Sequence, residues 1–402
     1  MINLELPQKL LTMQQMTHAV AQGMLRPIAR KYDKLEHADS VPELQPLAAM
    51  ISGRSGNAMA AATAGGKTDG GVKNGGNMMG IVSTAEMAAG CCGLMLSIPG
   101  VGLGNAAIAA VGTPEQKEKW GGKYCAMAIT EPGVGSDSAA VATTAKLDGD
   151  HWVLNGEKIF CTAGQRGDAI VVWATLDKSK GKAAIKSFIV EKGAPGLHLV
   201  RVEHKMGLRI SDTAALLFDN CRIPKENILG SPEIADTEEA RKKAFGGVMQ
   251  TFDNTRPQVA AMALGVARAA LDITCEVLKK EGVTLKYEGN IWSVPSIEAE
   301  LYRMEADLEA SRLMSLKAAW MADNGQPNSK EASMCKAKAG RTGNYVTLRC
   351  VEILGNLGYS EEFLVEKFAR DSKIIDIFEG TQQIQQLIVA RMVLGLSSRE
   401  LK

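Results

Sequence analysis

The stretch DGDHWVLNGEKIFCTAG (148–164) decides how the middle of the chain is read. Apolar and polar residues alternate through WVL and KIF, the two-residue period of a half-buried strand. Between them, Asn155-Gly156 predicts a hairpin, because both central positions of a tight two-residue turn favour positive φ. Similar short runs surround it: YCAMAIT, AIVVWATL, IKSFIVEKG, LHLVRVEH and AALLFDNCRI, each bounded by turn residues. Few helical patterns intervene, so residues 124–240 read as an antiparallel sheet or small barrel rather than as βαβ units.

On either side the period changes. Residues 1–123 are rich in Ala, Met and Leu and read as helices, interrupted by AGGKTDGGVKNGGNMMG (64–80), an irregular connection with seven glycines. Toward the C-terminus, Ile297, Leu301, Met304 and Leu308 share one helical face. Comparable stripes run through 259–278, 332–354 and 384–394. The expected fold is mostly α with a central antiparallel β domain: an N-terminal helical domain (1–123), a middle β-barrel or sheet domain (124–240) and a C-terminal four-helix bundle (241–402).

Composition narrows the function. The chain has 402 residues, enough for two or three domains, with 46% hydrophobic and 23% charged residues, the balance of a globular enzyme. Basic and acidic residues number 46 and 45, so no overall field recruits nucleic acid or an anionic membrane. The eight cysteines form no CxxC pair and the histidines number five; no zinc spacing is present, and the thiols read as reduced, buried, small apolar residues. The first fifteen residues lack the basic start and apolar core of a signal peptide. The uncharged run 87–114 is broken by six glycines and Pro99, which favours a buried core segment over a membrane span. A cytoplasmic, reducing location is expected.

Several motifs are incomplete. Gly66-Lys67-Thr68 lacks the upstream glycine of a phosphate loop, since position 61 is alanine. Gly102, Gly104 and Ala107 fit G-x-G-x-x-A, a rival nicotinamide-binding turn, but no strand–helix series follows; close packing of a helix joint accounts for them. No serine sits in a G-x-S-x-G elbow, and His151 and His204 read as surface residues.

Three separated segments carry more. Ile129-Thr-Glu-Pro-Gly-Val-Gly-Ser-Asp137 is a strand entering a loop, with the Thr130 and Ser136 hydroxyls available to a polar ligand, or simply a tight turn. Phe252-Asp-Asn-Thr-Arg-Pro257 reads as a helix start with Asp253 as N-cap, where Arg256 could pair with an anionic ligand or with a structural partner. Asp376-Ile-Phe-Glu-Gly-Thr-Gln-Gln-Ile-Gln385 places Glu379 among Ile377, Phe378 and Gly380. A carboxylate so desolvated suits a general base, though a helix cap is the plainer reading.

In this order and across these textures, the segments strongly resemble the acyl-CoA dehydrogenase family of flavoenzymes, over about residues 90–394. Supporting stretches are GTPEQKEKW (112–120), GLRISDTAALLFDNCRIPKENILG (207–230) and ALGVARAALD (263–272). The resemblance implies FAD as cofactor and α,β-dehydrogenation of an acyl-CoA thioester to the trans-2-enoyl-CoA. In such chemistry a carboxylate takes the α-proton while the β-hydrogen leaves as hydride to flavin N5. The family polarises the thioester carbonyl through the flavin ribityl chain and the base's own backbone N–H, which stabilises the developing enolate.

By resemblance, Glu379 is the base. The family's second base position falls on Thr255, which excludes that alternative here. Met127, Ile129, Thr130, Ser136, Phe160, Thr162, Thr381 and Gln383 match flavin-contacting positions. Ser136, Asp253, Arg256, Gly380 and Arg391 match positions that contact the CoA thioester, and the segment 95–103 matches the lining of the acyl tunnel. Electron transfer flavoprotein is the implied electron acceptor.

Two segments depart from the family. The Arg-x-x-Phe-Gly stretch that reaches the neighbouring subunit's flavin pyrophosphate is replaced by KKEGVTLKYEGN (279–290), and Gln-Ile-Leu-Gly-Gly by Glu352-Ile-Leu-Gly-Asn356. Either the chain forms a homo-oligomer with re-routed cofactor contacts from Lys279, Lys280 or Lys286, or it pairs with a homologous subunit that supplies the missing groups. The homo-oligomer is the expected state. The alternatives kept open are a catalytic subunit of a heteromeric dehydrogenase, a flavin-dependent acyl-CoA oxidase or reductase, and a non-catalytic interaction subunit.

Overall fold

The computed structural model describes residues 6–50, 68–69, 72–73, 75–99, 102–234, 238–283, 286, 291–397 and 400, with backbone alone for 68–69, 72–73, 238–252 and 291. The glycine-rich connection and Gly66-Lys67 thus lie largely outside the described residues. Helices α1 (Gln8–Val20), α2 (Ala29–Leu35), α3 (Gly76–Met95), α4 (Leu103–Val111) and α5 (Pro114–Trp120) precede the main sheet, with a two-residue antiparallel ribbon, Thr68–Asp69 on Val72–Lys73, ahead of α3. Helix α3 is long and apolar enough to cross a membrane, yet most of its apolar window is buried within the protein, packed on α1 and on the C-terminal helices.

Eight strands form one sheet: β1 (Cys125–Ala128), β2 (Thr144–Asp148), β3 (His151–Thr162), β4 (Ala169–Thr175), β5 (Ile185–Glu191), β6 (Leu197–Val202), β7 (Thr213–Pro224) and β8 (Ile228–Leu229). Their order is β8-β5-β4-β2-β3-β7-β6, antiparallel except where β4 runs parallel to β1 and meets β2 in parallel at Thr144–Thr175. Strand β4, AIVVWAT, is buried at every residue, which is why it reads as a continuous apolar run rather than an alternating one. The dinucleotide-like glycines lie against β1: a Cβ at Gly102 or Gly104 would fall 2.1 or 2.2 Å from the carbonyl oxygens of Cys125 and Ala126. They are packing glycines, here between helix and strand.

The Asn155-Gly156 hairpin is corrected by the structure. Strand β3 runs straight through both residues, and the chain reverses instead at Gly149-Asp150, where Asp148 pairs with His151 and Gly149 takes φ +60°. Gly156 serves a different need: it sits at a register shift opposite β7 with φ +148°, and a Cβ there would lie 2.5 Å from Thr143 Oγ1. Asn155 accepts from the Asn220 N–H at 2.8 Å across the strands. A bulge and a close approach thus select the same residue pair that a turn would.

The C-terminal part holds α6 (Glu238–Lys280), α7 (Ser296–Asp323), α8 (Ser329–Leu354), α9 (Val365–Ile375) and α10 (Gln382–Leu394). Leu301, Met304 and Leu308 face its core, whereas Ile297 in the first turn of α7 is exposed. Helix α9, not separately legible in the sequence, joins the bundle. The expected helix start at Asp253 is also corrected, because α6 begins well upstream and carries Pro257 in its interior. Proline there removes the N–H that would bond the Asp253 carbonyl. Packing against α3 and α8 carries the helix through, and the Asp253 side chain turns to Arg256 and Ser329 instead of capping.

Helix α9 ties the three parts together. Arg370 grips Asp33 of α2 at 2.6 and 3.0 Å, while Asp371, paired with Lys367, accepts from the Leu208 N–H at 2.7 Å. The segment that follows α9 is therefore placed by contacts to both other domains.

Gly156→Ala should lower unfolding free energy by about 2 kcal/mol through overpacking at Thr143. Gly149→Asn, at the true turn with open space around it, should change it by less than about 0.5 kcal/mol. Denaturant midpoints of the two variants check this; equal effects would restore the hairpin at 155–156.

Candidate active site

After α9 the chain makes one irregular turn before α10. The Phe378 N–H returns to Ile374 and the Gln382 N–H to Asp376; between them Glu379 and Gly380 take φ +53° and +91°. A left-handed non-glycine residue is costly, about 1–3 kcal/mol where the surroundings enforce it. Here the surroundings do. The Gly380 carbonyl accepts from Lys336 Nζ at 2.7 Å and from Gln385 Nε2 at 3.1 Å, and the Glu379 carbonyl from the same amide at 3.2 Å. A larger residue at Gly380 would be strained at φ +91° and would push the Gln385 amide from its place, a Cβ falling 2.4 Å from Nε2.

Part of Glu379 reaches the surface, but its carboxyl is the buried end, and Oε2 has no hydrogen-bond partner. Burial raises the carboxyl's pKa, opposed by a hydrogen bond from Thr255 and by the charges of Lys336 and Arg256. The two alternative base positions of the sequence reading thus converge in space: Thr255 on α6 serves as hydrogen-bond partner of Glu379. The Glu379 N–H makes no backbone hydrogen bond among the described residues. A basic oxygen and an amide from one residue are the groups needed to take a proton from carbon beside a carbonyl and to stabilise the resulting oxyanion.

The middle domain builds a second cluster. Ile159 and Phe160 form a bulge between Lys158 and Cys161, and the diverted Ile159 N–H donates to the Thr130 carbonyl at 2.9 Å. Phe160 takes φ +56° with its side chain 60% exposed, an aromatic face turned outward at a strained position. Buried Lys158 donates to the Ile129 carbonyl at 2.9 Å and to Glu131 at 2.7 Å, and Cys161 Sγ reaches the Met127 carbonyl at 3.3 Å. Glu131 also accepts from Thr143 Oγ1 at 2.6 Å and from the Ala142 and Thr143 N–H groups. Burial would raise its pKa, but Lys158 and these donors outweigh it and hold the carboxyl below its ordinary value.

The structure accordingly brings Met127, Ile129 and Thr130 together with Phe160 and Thr162. Ser136 is exposed beyond the Glu131–Val134 turn. Asp253 and Arg256 bond each other at 2.5 Å, and Arg256 is buried beside Glu379 rather than directed outward. Thr381 caps α10 by accepting from the Ile384 N–H, Gln383 is exposed, and Arg391 is half-buried late in the same helix. Met95 and Leu96 pack with Phe378 on the bundle core; positions 100 and 101 of the expected tunnel lie outside the described residues.

Sequence reasoning missed Lys336, Gln385, Lys158 and Glu131. Both lysines could have been noticed as cations on otherwise apolar faces: Lys336 one turn after Ala332 on the stripe of α8, Lys158 at an inward position of β3. Elsewhere, Glu36, His37 and His204 converge within 4.8 Å, but Arg209 already pairs with Glu36, which disfavours a cation there.

Models of the acyl-CoA dehydrogenase N-terminal, middle and C-terminal domains match residues 8–128, 126–221 and 245–394. The chain is 36% identical to the mitochondrial short-chain specific acyl-CoA dehydrogenase of Bos taurus, over 77% of this chain and 74% of that one. Butyryl-CoA dehydrogenase from Megasphaera elsdenii superposes with a TM-score of 0.82 at 30% identity, over 98% of this chain and 100% of that one. A chain solved in work on the electron transferring flavoprotein of Acidaminococcus fermentans gives 0.83 at 30% identity with the same coverage.

Lys158→Met leaves the Glu131 charge buried and uncompensated, an expected loss of about 3–5 kcal/mol at neutral pH. Because the folded-state pKa of Glu131 is depressed, its stabilisation exists above the unfolded value near 4.5 and is lost as pH falls through the folded value. The gap between wild type and variant should therefore narrow on acidification, as read from denaturant unfolding across pH; a gap independent of pH would contradict the pairing.

Proposed function

The chain belongs to the acyl-CoA dehydrogenase family, and from that premise we propose that it dehydrogenates the α,β bond of an acyl-CoA thioester with Glu379 as the base. The observation that carries the reading is the desolvated carboxyl oxygen of Glu379, unpartnered, on a strained turn that also presents the residue's own N–H. The family uses FAD, and the residues of the middle domain fit it: an outward aromatic at Phe160, with Thr130 and Thr162 flanking the same bulge. We assign its contacts to Met127, Ile129, Thr130, Ser136, Phe160, Thr162, Thr381 and Gln383. Bound FAD supplies the acceptor for the β-hydrogen and its electron pair.

The chain's own part is proton chemistry and placement. Glu379 Oε2 takes the α-proton, and burial makes it more basic than an exposed glutamate. The Glu379 amide donates to the thioester oxygen as negative charge develops there. Ser136, Asp253, Arg256, Gly380 and Arg391 are proposed to hold the CoA thioester, Arg256 also lending positive charge beside the base. A short acyl chain is the proposed substrate class, supported by the names of the bovine and Megasphaera relatives. Electron transfer flavoprotein is the proposed acceptor, supported by the Acidaminococcus likeness. A cytoplasmic, reducing location is supported by eight unpaired thiols, seven of them buried.

For the assembly we propose a homo-oligomer. Glu352, the acidic replacement in the partner-facing segment, is neutralised by Arg349, which also holds Glu300 at 2.9 Å. The unfavourable bare charge expected beside a pyrophosphate is thereby removed. Purification of this chain alone should give a homogeneous oligomer with about one FAD per chain, by absorbance and light scattering. Near half that value, or none until a homologous subunit is added, would favour the heteromer.

Anaerobic mixing with a panel of CoA thioesters should bleach the flavin fastest with short acyl groups. Glu379→Gln should keep its colour and lose about three orders of magnitude in turnover. Wild-type kcat should fall on acidification with an apparent pKa above that of an ordinary glutamate, because the base must be ionised. Full turnover by the Gln variant would end the assignment, and rapid reoxidation of the reduced enzyme by oxygen would favour an oxidase.

A further inference from the structure

Lys336 is completely buried on α8, in the stripe where the helix otherwise carries Ala332, Cys335 and Ala339. One turn later Gly340 lets the Asp376 segment come close, a Cβ there falling 2.9 Å from Asp376 Oδ1. Helix α8 thus presents a cation and a gap to the same turn. The ammonium donates to the Gly380 carbonyl at 2.7 Å, the peptide oxygen immediately after Glu379. Gln385 donates to that oxygen too, but it is neutral and belongs to α10, which follows the turn. Burying an ammonium is costly and is offset only by close hydrogen bonding and opposite charge nearby.

We propose that Lys336 is a positioning residue for Glu379, anchoring the left-handed turn through the Gly380 carbonyl and placing a fixed cation beside the desolvated carboxyl. The inference rests on Glu379 being the base. The anchor sets where the carboxyl and amide of Glu379 point; the cation favours the ionised carboxyl in a dry site that opposes it. Arg256 contributes from α6, but it is already committed to Asp253, so its field at Glu379 is partly spent. Asp376 faces Lys336 from the turn and, with Glu379, favours its charged form; burial and Arg256 oppose it, and the balance lowers its pKa to about 8. The device therefore works while Lys336 is protonated, and weakens as it loses its proton on the alkaline side.

The test is the pH profile of kcat in the flavin-loaded enzyme, for wild type, Lys336→Met, Lys336→Arg and Gln385→Met. Wild type should show an acid limb from Glu379 and an alkaline fall near pH 8. Lys336→Met should move the acid limb up by one pH unit or more, abolish the alkaline fall and lower neutral kcat at least tenfold. KM should stay within threefold and FAD content should be unchanged. Lys336→Arg, whose charge persists across this range, should return the acid limb toward wild type while losing the alkaline fall. Gln385→Met, which removes a donor without removing charge, should lower kcat and leave the acid limb in place.

An acid limb unmoved in Lys336→Met, or moved equally in Gln385→Met, overturns the proposal. Infrared difference titration gives a readout apart from turnover: the carboxylic-acid band absent in Glu379→Gln should titrate at higher pH in Lys336→Met than in wild type. Should Lys336→Met not fold, the Lys336→Arg alkaline limb decides, its persistence counting against the role. Failure of the underlying reading looks different, because Glu379→Gln would then retain activity whatever Lys336 does.

Discussion

A carboxyl group stripped of water at one end of a helical bundle is the constraint on which the rest of this molecule turns. Removing an ionised carboxylate from water costs several kcal/mol, and the group otherwise stays protonated. A base of that kind is useful only if its pKa is raised without being driven out of reach. At Glu379 burial raises the pKa, and contacts from three separate elements oppose or shape that rise: Thr255 and Arg256 from α6, Lys336 from α8, and the backbone turn itself. The left-handed geometry of Glu379 is unfavourable alone and persists because α9 and α10 fix both ends of the turn. The tie of α9 to Asp33 and Leu208 extends that fixation into the other two domains. Much of the tertiary structure can be read as support for one side chain whose local conformation the chain would not adopt unaided.

The middle domain solves a related problem in the same way. Strand β1 ends in an irregular segment whose carbonyls would be orphaned in the interior, and buried main-chain oxygens need partners. Lys158 reaches the Ile129 carbonyl while neutralising Glu131; Lys336 reaches the Gly380 carbonyl beside Asp376 and Glu379. An ammonium carries three donors on a flexible stem, so one lysine can satisfy a carbonyl and a carboxylate at once. The two clusters differ in their carboxylates. Glu131 is fully engaged and kept ionised, a structural charge, whereas Glu379 keeps one oxygen free. That difference in satisfaction sets the scaffold carboxylate apart from the proposed base.

The fold was legible in the sequence where period and burial agree. The apolar run of β4 and the stripe through Leu301, Met304 and Leu308 both announce their elements, as did the change of texture on either side of the sheet. Legibility failed where one residue type serves two physical needs. Asn-Gly marks a turn when positive φ is needed for reversal, yet Gly156 is glycine because Thr143 leaves no room and the ladder slips there. Asp-x-x-x-Pro resembles a helix start, yet α6 continues through it because packing on both faces outweighs one missing hydrogen bond. At the site, Glu379 stood out through its apolar neighbours, while Lys336 and Lys158 were hidden among many cations. Which cation is buried depends on contacts between elements distant in sequence, and a single sequence records those only as a polar residue out of phase with its stripe.

The departures in the partner-facing segments follow similar logic. An acidic residue at 352 looks hostile to a phosphorylated cofactor when read alone. In the structure Arg349, three residues earlier on the same helical face, takes up Glu352 and at the same time binds Glu300 of α7. Exposed pairs of this kind add little stability, so the arrangement is better understood through the field it leaves behind than through what it holds together. Glu300 is held in addition by Arg303 at 2.9 Å and by the Tyr345 hydroxyl at 2.5 Å, so two guanidinium groups meet two carboxylates there. The surface is therefore locally balanced, and a phosphate brought near it from a neighbouring chain would need its counter-charge from elsewhere. Lys279 and Lys280, exposed at the end of α6, stand on the segment that replaces the family's arginine. Loss of a forked arginine and its replacement by point-charge lysines exchanges a directed contact for a diffuse one. Such an exchange weakens orientation of a pyrophosphate more than its attraction, so on the proposed assignment the orienting work falls to the chain's own residues around Thr130 and Phe160.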